Sequence, residues 1–292
     1  MEQIFKKAKA KINLTLEVLE KRPDNYHNIK SIFQTIYLYD ELYIEKIQNN
    51  KIELYTNVEE LNNENNIIYK AYYKLKEKYT KITGVKVILK KRIPMQAGLG
   101  GGSTDCATFI SCMNKLFKLN MNIQEQREFG EKLGADVPAC LHTGTLLAEG
   151  IGEKIDIIQS NLNYYVIVIK PQISCSTKEM YQKLDERKKV IQKDNTINIK
   201  LALEQSNFNL LTKNLYNVFE EIIDEKDIIQ NLKKELEKNG AKASLMAGSG
   251  SCIFGIFDNK NIAKQAYNKL KQQYETYICK TCNKKGLKYD RK

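Results

Sequence analysis

The chain has 292 residues, 42 % of them apolar and 28 % charged, with 15 glycines and 4 prolines. This is enough to bury a core of two ordinary domains, and it excludes a disordered, collagen-like or linker-rich chain; no apolar run reaches the length of a membrane span. The formal charge is +12, and residues 260–292 hold ten Lys/Arg against Glu275 and Asp290, which reads as a solvated helix face and tail because no aromatics interleave in a groove pattern.

The first eleven residues, MEQIFKKAKAK, show no apolar segment followed by a small-residue cleavage site, so a cytoplasmic protein is expected. Residues 12–18 alternate: Ile12, Leu14, Leu16 and Val18 face one way, Lys11, Asn13, Thr15 and Glu17 the other. The pattern predicts a strand with one buried face and a polar face presenting Lys11 beside Asn13. Extended segments follow at about 29–47 and 51–55. Asn65 or Asn66 caps a helix carrying Ile67, Ile68, Ala71, Tyr72, Leu75 and Tyr79 at helical spacing. Val85, Val87 and Leu89 alternate again.

The second half predicts a buried strand at Tyr165–Ile169 and a short helix capped by Ser176 or Thr177. A helix over Asp227–Asn239 buries Ile228, Ile229, Leu232 and Leu236 and stops at Gly240. Strands at about 243–247 and 251–257, a helix over Ile262–Tyr274 and a strand over Thr276–Lys280 complete a split βαβ (ferredoxin-like) order. The boundary between two domains, 1–160 and 161–292, falls near residue 160.

The most informative segment is Pro94-Met95-Gln96-Ala97-Gly98-Leu99-Gly100-Gly101-Gly102-Ser103-Thr104-Asp105, running directly into a helix with Ala107, Ile110, Met113, Leu116 and Phe117. Four glycines in five positions bare the backbone, so that several N–H groups can converge on an anion at a positive helix end. Ser103 and Thr104 sit at the mouth of that helix, where they cap it, donate to a phosphate or approach a magnesium ion. No Lys follows the last Gly, so this is not a Walker loop, and Ser103 stands where a dinucleotide fingerprint wants Gly.

Asp136, in Gly134-Ala-Asp136-Val-Pro138, reads either as an ordinary N-cap or as a carboxylate aimed into a cleft to accept a hydroxyl proton, with Lys11 a candidate cation. Tyr26-His27 is either a surface turn or a stacking face with a hydrogen-bonding edge for a flat heterocycle. Gly248-Ser249-Gly250 reads as a plain hairpin or as a close approach of backbone to a ligand. The seven cysteines, odd in number and irregular in spacing, read as reduced thiols, and the lone Cys279-x-x-Cys282 lacks a second pair of zinc ligands.

The loop from Pro94 to Ser103 resembles the phosphate loop of the GHMP kinases. The triple glycine before Ser-Thr-Asp, Ala10-Lys11-Ile-Asn13-Leu, Tyr26-His27, Gly134-Ala-Asp136-Val-Pro138, Glu149-Gly-Ile-Gly-Glu153 and Met246-Ala-Gly248-Ser-Gly250 are together similar to the branch acting on CDP-methylerythritol in non-mevalonate isoprenoid synthesis. The resemblance implies an α+β protein with an S5-like N-terminal domain carrying the phosphate loop and a ferredoxin-like C-terminal domain. It implies transfer of the γ-phosphoryl group of ATP, with Mg2+, to the C2 hydroxyl of the small-molecule acceptor. Under it Asp136 is the base and Lys11 its partner; Asn13 and His27 hold the acceptor, Tyr26 stacks on the cytosine, and Thr177 or Tyr181 closes its other side. Residues 94–104 wrap the triphosphate, and Asn66 and Lys91 border the adenine. Other small-molecule GHMP kinases share the loop but not Tyr26-His27 with the triple glycine. No membrane or nucleic-acid partner is expected, and a monomer or weak dimer is. Asn25 replaces the family's usual Gly before Tyr-His, a position where Asn tolerates positive φ.

Overall fold

The computed structural model describes residues 2–186 and 195–283, so the last five basic residues of the tail, Lys284 to Lys292, lie outside the described residues. The chain forms two compact units built from interleaved segments: residues 1–10, 39–95 and 100–142 in the first, and 11–38, 96–99 and 143–292 in the second. Two long strands, β1 (Gln3–Lys21) and β2 (His27–Ile47), contribute to both.

The first unit adds β3 (Ile52–Thr56), α1 (Ile67–Lys78), β4 (Gly84–Lys90), α2 (Gly101–Leu116), α3 (Ile123–Glu131) and α4 (Val137–Cys140). β4 runs antiparallel to β2, with Tyr43 opposite Ile88, and parallel to β3, with Leu54 opposite Val87. The alternation read at Val85, Val87 and Leu89 sends those side chains into a core with Leu42, Ile44, Tyr72, Phe109, Ile110 and Met113. Asn66 is the cap of α1, accepting from the Ile68 amide, and Asn122 with Glu125 closes a capping box on α3.

The second unit adds β5 (Thr145–Gly150), β6 (Lys154–Ile158), β7 (Tyr165–Lys170), α5 (Thr177–Asp185), α6 (Asn195–Glu204), α7 (Phe208–Lys213) and β8 (Tyr216–Asn217). Beyond these come α8 (Lys226–Lys238), β9 (Ala243–Met246), β10 (Ile253–Phe257), α9 (Lys260–Leu270) and β11 (Glu275–Lys280). β5 joins β2 to β6, and β8 lies parallel to β1. The order β11-β7-β10-β9, antiparallel throughout, is the ferredoxin-like arrangement expected of the second half. Ile229, Leu232 and Leu236 of α8 pack with Ala263, Ala266 and Leu270 of α9 against Ile167, Ile253 and Phe257. Each fully buried aliphatic side chain there contributes about 1.5–3 kcal/mol.

Three expectations need correction. The Ile12–Val18 strand is buried on both faces, not one: Lys11, Asn13, Thr15 and Glu17 are buried as well. Thr196 of α6 donates through its hydroxyl to Glu17 at 3.0 Å and lies 3.0 Å from the Thr15 hydroxyl, so hydrogen bonds satisfy that polar face. Ile228 is exposed, because α8 starts at Lys226 and its buried stripe runs through 229, 232 and 236. The last helix covers Lys260–Leu270, capped by Asn259, instead of 262–274.

Candidate active site

In the first unit the glycine run sets the start of α2. Gly100 is the N-cap, in the left-handed region at φ +69°, and the first helical hydrogen bond runs from the Thr104 amide to its carbonyl at 2.9 Å. The helix therefore opens at Gly101, two residues earlier than a Ser103 start, and neither Ser103 nor Thr104 caps it. Thr104 is buried, and its hydroxyl donates to the Lys9 carbonyl at 2.8 Å. The amides of Gly101, Gly102 and Ser103 precede the helical ladder and converge at the positive helix end. A Cβ on Gly102 would have nothing within 4 Å, so packing does not require glycine there.

A buried charge cluster underlies this turn. The Lys91 ammonium pairs with Asp40 and, at 2.6 Å, with Asp105. Asp40 also accepts the Arg92 and Ile93 amides, and a Cβ on Gly101 would lie 3.4 Å from the Lys91 Nζ. Burial pushes the Asp105 carboxyl well above its ordinary range, only partly offset by Lys91. Burial also opposes the charge on Lys91, but Asp105 and Asp40 outweigh it and hold that group above its usual value. Asp105 Oδ1 is buried with no hydrogen-bond partner among the described residues. Asn66 likewise turns its side chain inward, donating to the Leu61 carbonyl at 3.0 Å as well as capping α1. Met95 is exposed, and Pro94 is half-buried.

Asp136 stands at the N-cap of α4, half-buried, at φ −81° and ψ −12° with no side-chain capping bond. Asp136 thus takes the N-cap position by its backbone, without its side chain capping the α4 amides. Gly130 lets Val137 pack close: a Cβ there would sit 2.7 Å from Val137 Cγ1.

The second unit holds the remaining residues. The Lys11 Nζ donates to Asn13 Oδ1 at 2.8 Å and lies 4.6 Å from the centre of the Phe33 ring; Asn13 donates in turn to Ser31 at 2.8 Å. Gln96 adopts φ +49° and is exposed, while Ala97 and Leu99 are buried anchors of the loop. The Leu99 carbonyl accepts the Lys11 amide at 3.0 Å. Gly98, at φ +73°, crosses the segment at Ala247 and Gly248, so Gly248 brings backbone against backbone of the glycine-rich loop, whereas Gly250 faces Cys175 and Met246.

The turn before β2 closes through Arg22 N to Tyr26 O at 2.7 Å, with Asn25 at φ +65° as the replacement of Gly allows. Tyr26 is 58 % exposed. His27 stacks on Tyr181 of α5, with centroids 5.1 Å apart at 21°, and Tyr181 meets Phe219 edge-on. Thr177 lies apart from this stack, its hydroxyl 2.7 Å from that of Ser249. Sequence reasoning did not single out Asp185, Lys21, Ser31, Asp40 or Asp105. Asp105 sits inside the quoted loop motif, but a lone carboxylate there gave no sign of its buried partners.

The family descriptions "GHMP kinases N terminal domain" and "GHMP kinases C terminal" match residues 66–144 and 188–276. A 4-diphosphocytidyl-2-C-methyl-D-erythritol kinase of Clostridium perfringens is 39 % identical over 286 residues, covering 96 % of this chain and 99 % of its own. This chain belongs to the 4-diphosphocytidyl-2-C-methyl-D-erythritol kinase family, a branch of the GHMP kinases. A relative of the same name from Caldicellulosiruptor saccharolyticus is 43 % identical over 267 residues, covering 91 % and 92 % of the two chains. Among solved structures, a 4-(cytidine 5'-diphospho)-2C-methyl-D-erythritol kinase superimposes with a TM-score of 0.83 at 25 % identity, covering 96 % of this chain and all of the other. The two-domain GHMP kinase fold, S5-like then ferredoxin-like, is thereby shared. No helix among the described residues is long and apolar enough to cross a membrane.

Proposed function

We propose that this chain transfers the γ-phosphoryl group of ATP to the C2 hydroxyl of 4-diphosphocytidyl-2-C-methyl-D-erythritol. The observation that carries this is the start of α2: a left-handed Gly100 cap, unladdered amides at Gly101, Gly102 and Ser103, and open space over Gly102. Converging amides at a helix N-terminus suit the phosphates of a nucleotide. Pro94 to Ser103 wrap the triphosphate; Thr104 belongs to the fold beneath it. Asn66 and Lys91 border the adenine through shape, since their polar side-chain atoms engage protein partners. Magnesium accompanies the triphosphate, whose oxygens supply most of its ligands.

Asp136 is assigned as the base that takes the C2 hydroxyl proton, and Lys11, held by Asn13, as the cation favouring the ionised and oriented state. The alkoxide oxygen then bonds to the γ-phosphorus as the bond to the β–γ bridging oxygen breaks, and ADP leaves. Positioning carries most of the catalysis in such a transfer. Asn13 and His27 hold the acceptor, Tyr26 supplies one stacking face for the cytosine, and Tyr181 fits the other side better than Thr177 because it is part of the aromatic stack with His27. The division near residue 160, cytoplasmic location and a monomeric or weakly dimeric state belong to the same reading; family matches ending at 144 and resuming at 188 support that division.

The test offers the purified protein ATP with CDP-methylerythritol, mevalonate, homoserine or galactose and follows ADP release. The reading predicts turnover with the first acceptor, and faster turnover with any other rejects it.

A further inference from the structure

We infer that Asp185 is a positioning residue for base recognition: it holds His27 in the tautomer protonated on Nε2, leaving the Nδ1 lone pair to accept the exocyclic amine of cytosine and to disfavour the carbonyl of uracil. This deepens, and rests on, the reading of a cytidine-linked acceptor.

His27 opens β2 and Asp185 closes α5, and their side chains meet with Nε2 2.6 Å from Oδ1. The imidazole is buried, and Tyr181, itself braced edge-on by Phe219 at 5.1 Å and 85°, lies against its face. The ring is thus fixed in plane and in direction. The other carboxylate oxygen, Oδ2, takes the Lys21 ammonium. That hydrogen bond above all, with the contact to His27 adding to it against the effect of burial, keeps the Asp185 carboxyl below its ordinary range. An ionised carboxylate only accepts hydrogen bonds, so the proton between the two groups sits on the ring nitrogen. In a neutral imidazole the second nitrogen is then a bare acceptor.

Such an acceptor reads an N–H and repels a carbonyl oxygen. Cytosine and uracil differ at this point, one carrying an amine where the other carries oxygen, and a site that must leave a buried polar group unpaired rejects the wrong partner. An ion pair that only tethered α5 to β2 would stabilise the fold and leave base choice untouched.

The chain has two histidines, His27 and His142, so the imidazole nitrogen spectrum of the 15N-labelled protein is simple to assign. At about pH 8 the wild type is expected to show His27 protonated on Nε2. In Asp185→Ala that bias is lost, and the ratio of kcat/KM for CDP-methylerythritol over UDP-methylerythritol falls about tenfold, chiefly through KM, the scale of one lost hydrogen bond to the base. A wild-type His27 protonated on Nδ1, measurable even if the variant fails to fold, overturns the inference. So does an unchanged ratio in folded Asp185→Ala when His27→Gln does raise the KM for CDP-methylerythritol. If His27→Gln leaves that KM unchanged, the reading of His27 at the base falls, and the inference with it.

Discussion

Gly98 and Ala247 are in backbone contact so close that a Cβ on Gly98 would lie 1.7 Å from the Ala247 carbonyl oxygen. Gly98 also sits at φ +73°, which costs an ordinary residue about 1–2 kcal/mol before any clash is counted. Gly98→Ala is therefore expected to lower the melting temperature by several degrees and to raise the KM for ATP. Gly102→Ala provides the contrast: its Cβ enters open space, so melting is expected to hold while the KM for ATP rises. Thermal unfolding and ATP kinetics on both variants check this, and equal stability losses would contradict it.

Asp136→Asn is expected to cut kcat by about a hundredfold to ten-thousandfold, the usual range for a lost general base, while a fluorescent ATP analogue still binds. The α4 cap makes no use of the Asp136 side chain, so the variant should keep its fold. Unchanged turnover in Asp136→Asn would remove the residue from the mechanism.

Tyr26 is exposed, and Tyr181 is packed against His27 and Phe219. Truncation of either is expected to raise the KM for the cytidyl acceptor, with stacking on one base worth about 1–3 kcal/mol. Tyr26→Ala should do so without loss of stability, whereas Tyr181→Ala should also lower the melting temperature. A defect confined to ATP kinetics in Tyr26→Ala would count against the assignment.

Two carboxylates share one ammonium at Lys91, and burial pushes the Asp105 carboxyl well above the usual carboxylate range. The folded chain thus binds that proton more tightly than the unfolded chain. The stability Asp105 contributes is complete below about pH 4 and declines as pH rises through the folded value. Asp105→Asn removes this decline and leaves Lys91 paired with Asp40, so at pH 8 it should melt no lower than the wild type. Lys91→Met strands buried carboxylates and should cost about 3–5 kcal/mol. Denaturant unfolding across pH measures both.

Much of this was legible in the chain. Period-two alternation marks β1 and β4, the apolar run Tyr165–Ile169 marks β7, and the glycine run marks the loop ahead of α2, because those signals are local. Partners were not legible. Asp185 meets His27 from 158 residues away, and Asp40 meets Lys91 from 51, contacts that depend on topology. The polar face of β1 read as solvent-facing because nothing nearby in sequence announces Thr196, which covers it from α6. The cap of α2 is illegible for a different reason. Ser and Thr are the usual caps, but Gly100 takes the left-handed cap and draws Thr104 into the first turn.

The most direct measurement follows the backbone amide resonances of Gly101, Gly102 and Ser103 while a non-hydrolysable ATP analogue with magnesium is added. The account predicts large, saturable shifts at these three amides, carried by the triphosphate and absent with adenosine alone. Saturable binding of the analogue that leaves all three resonances in place would contradict it.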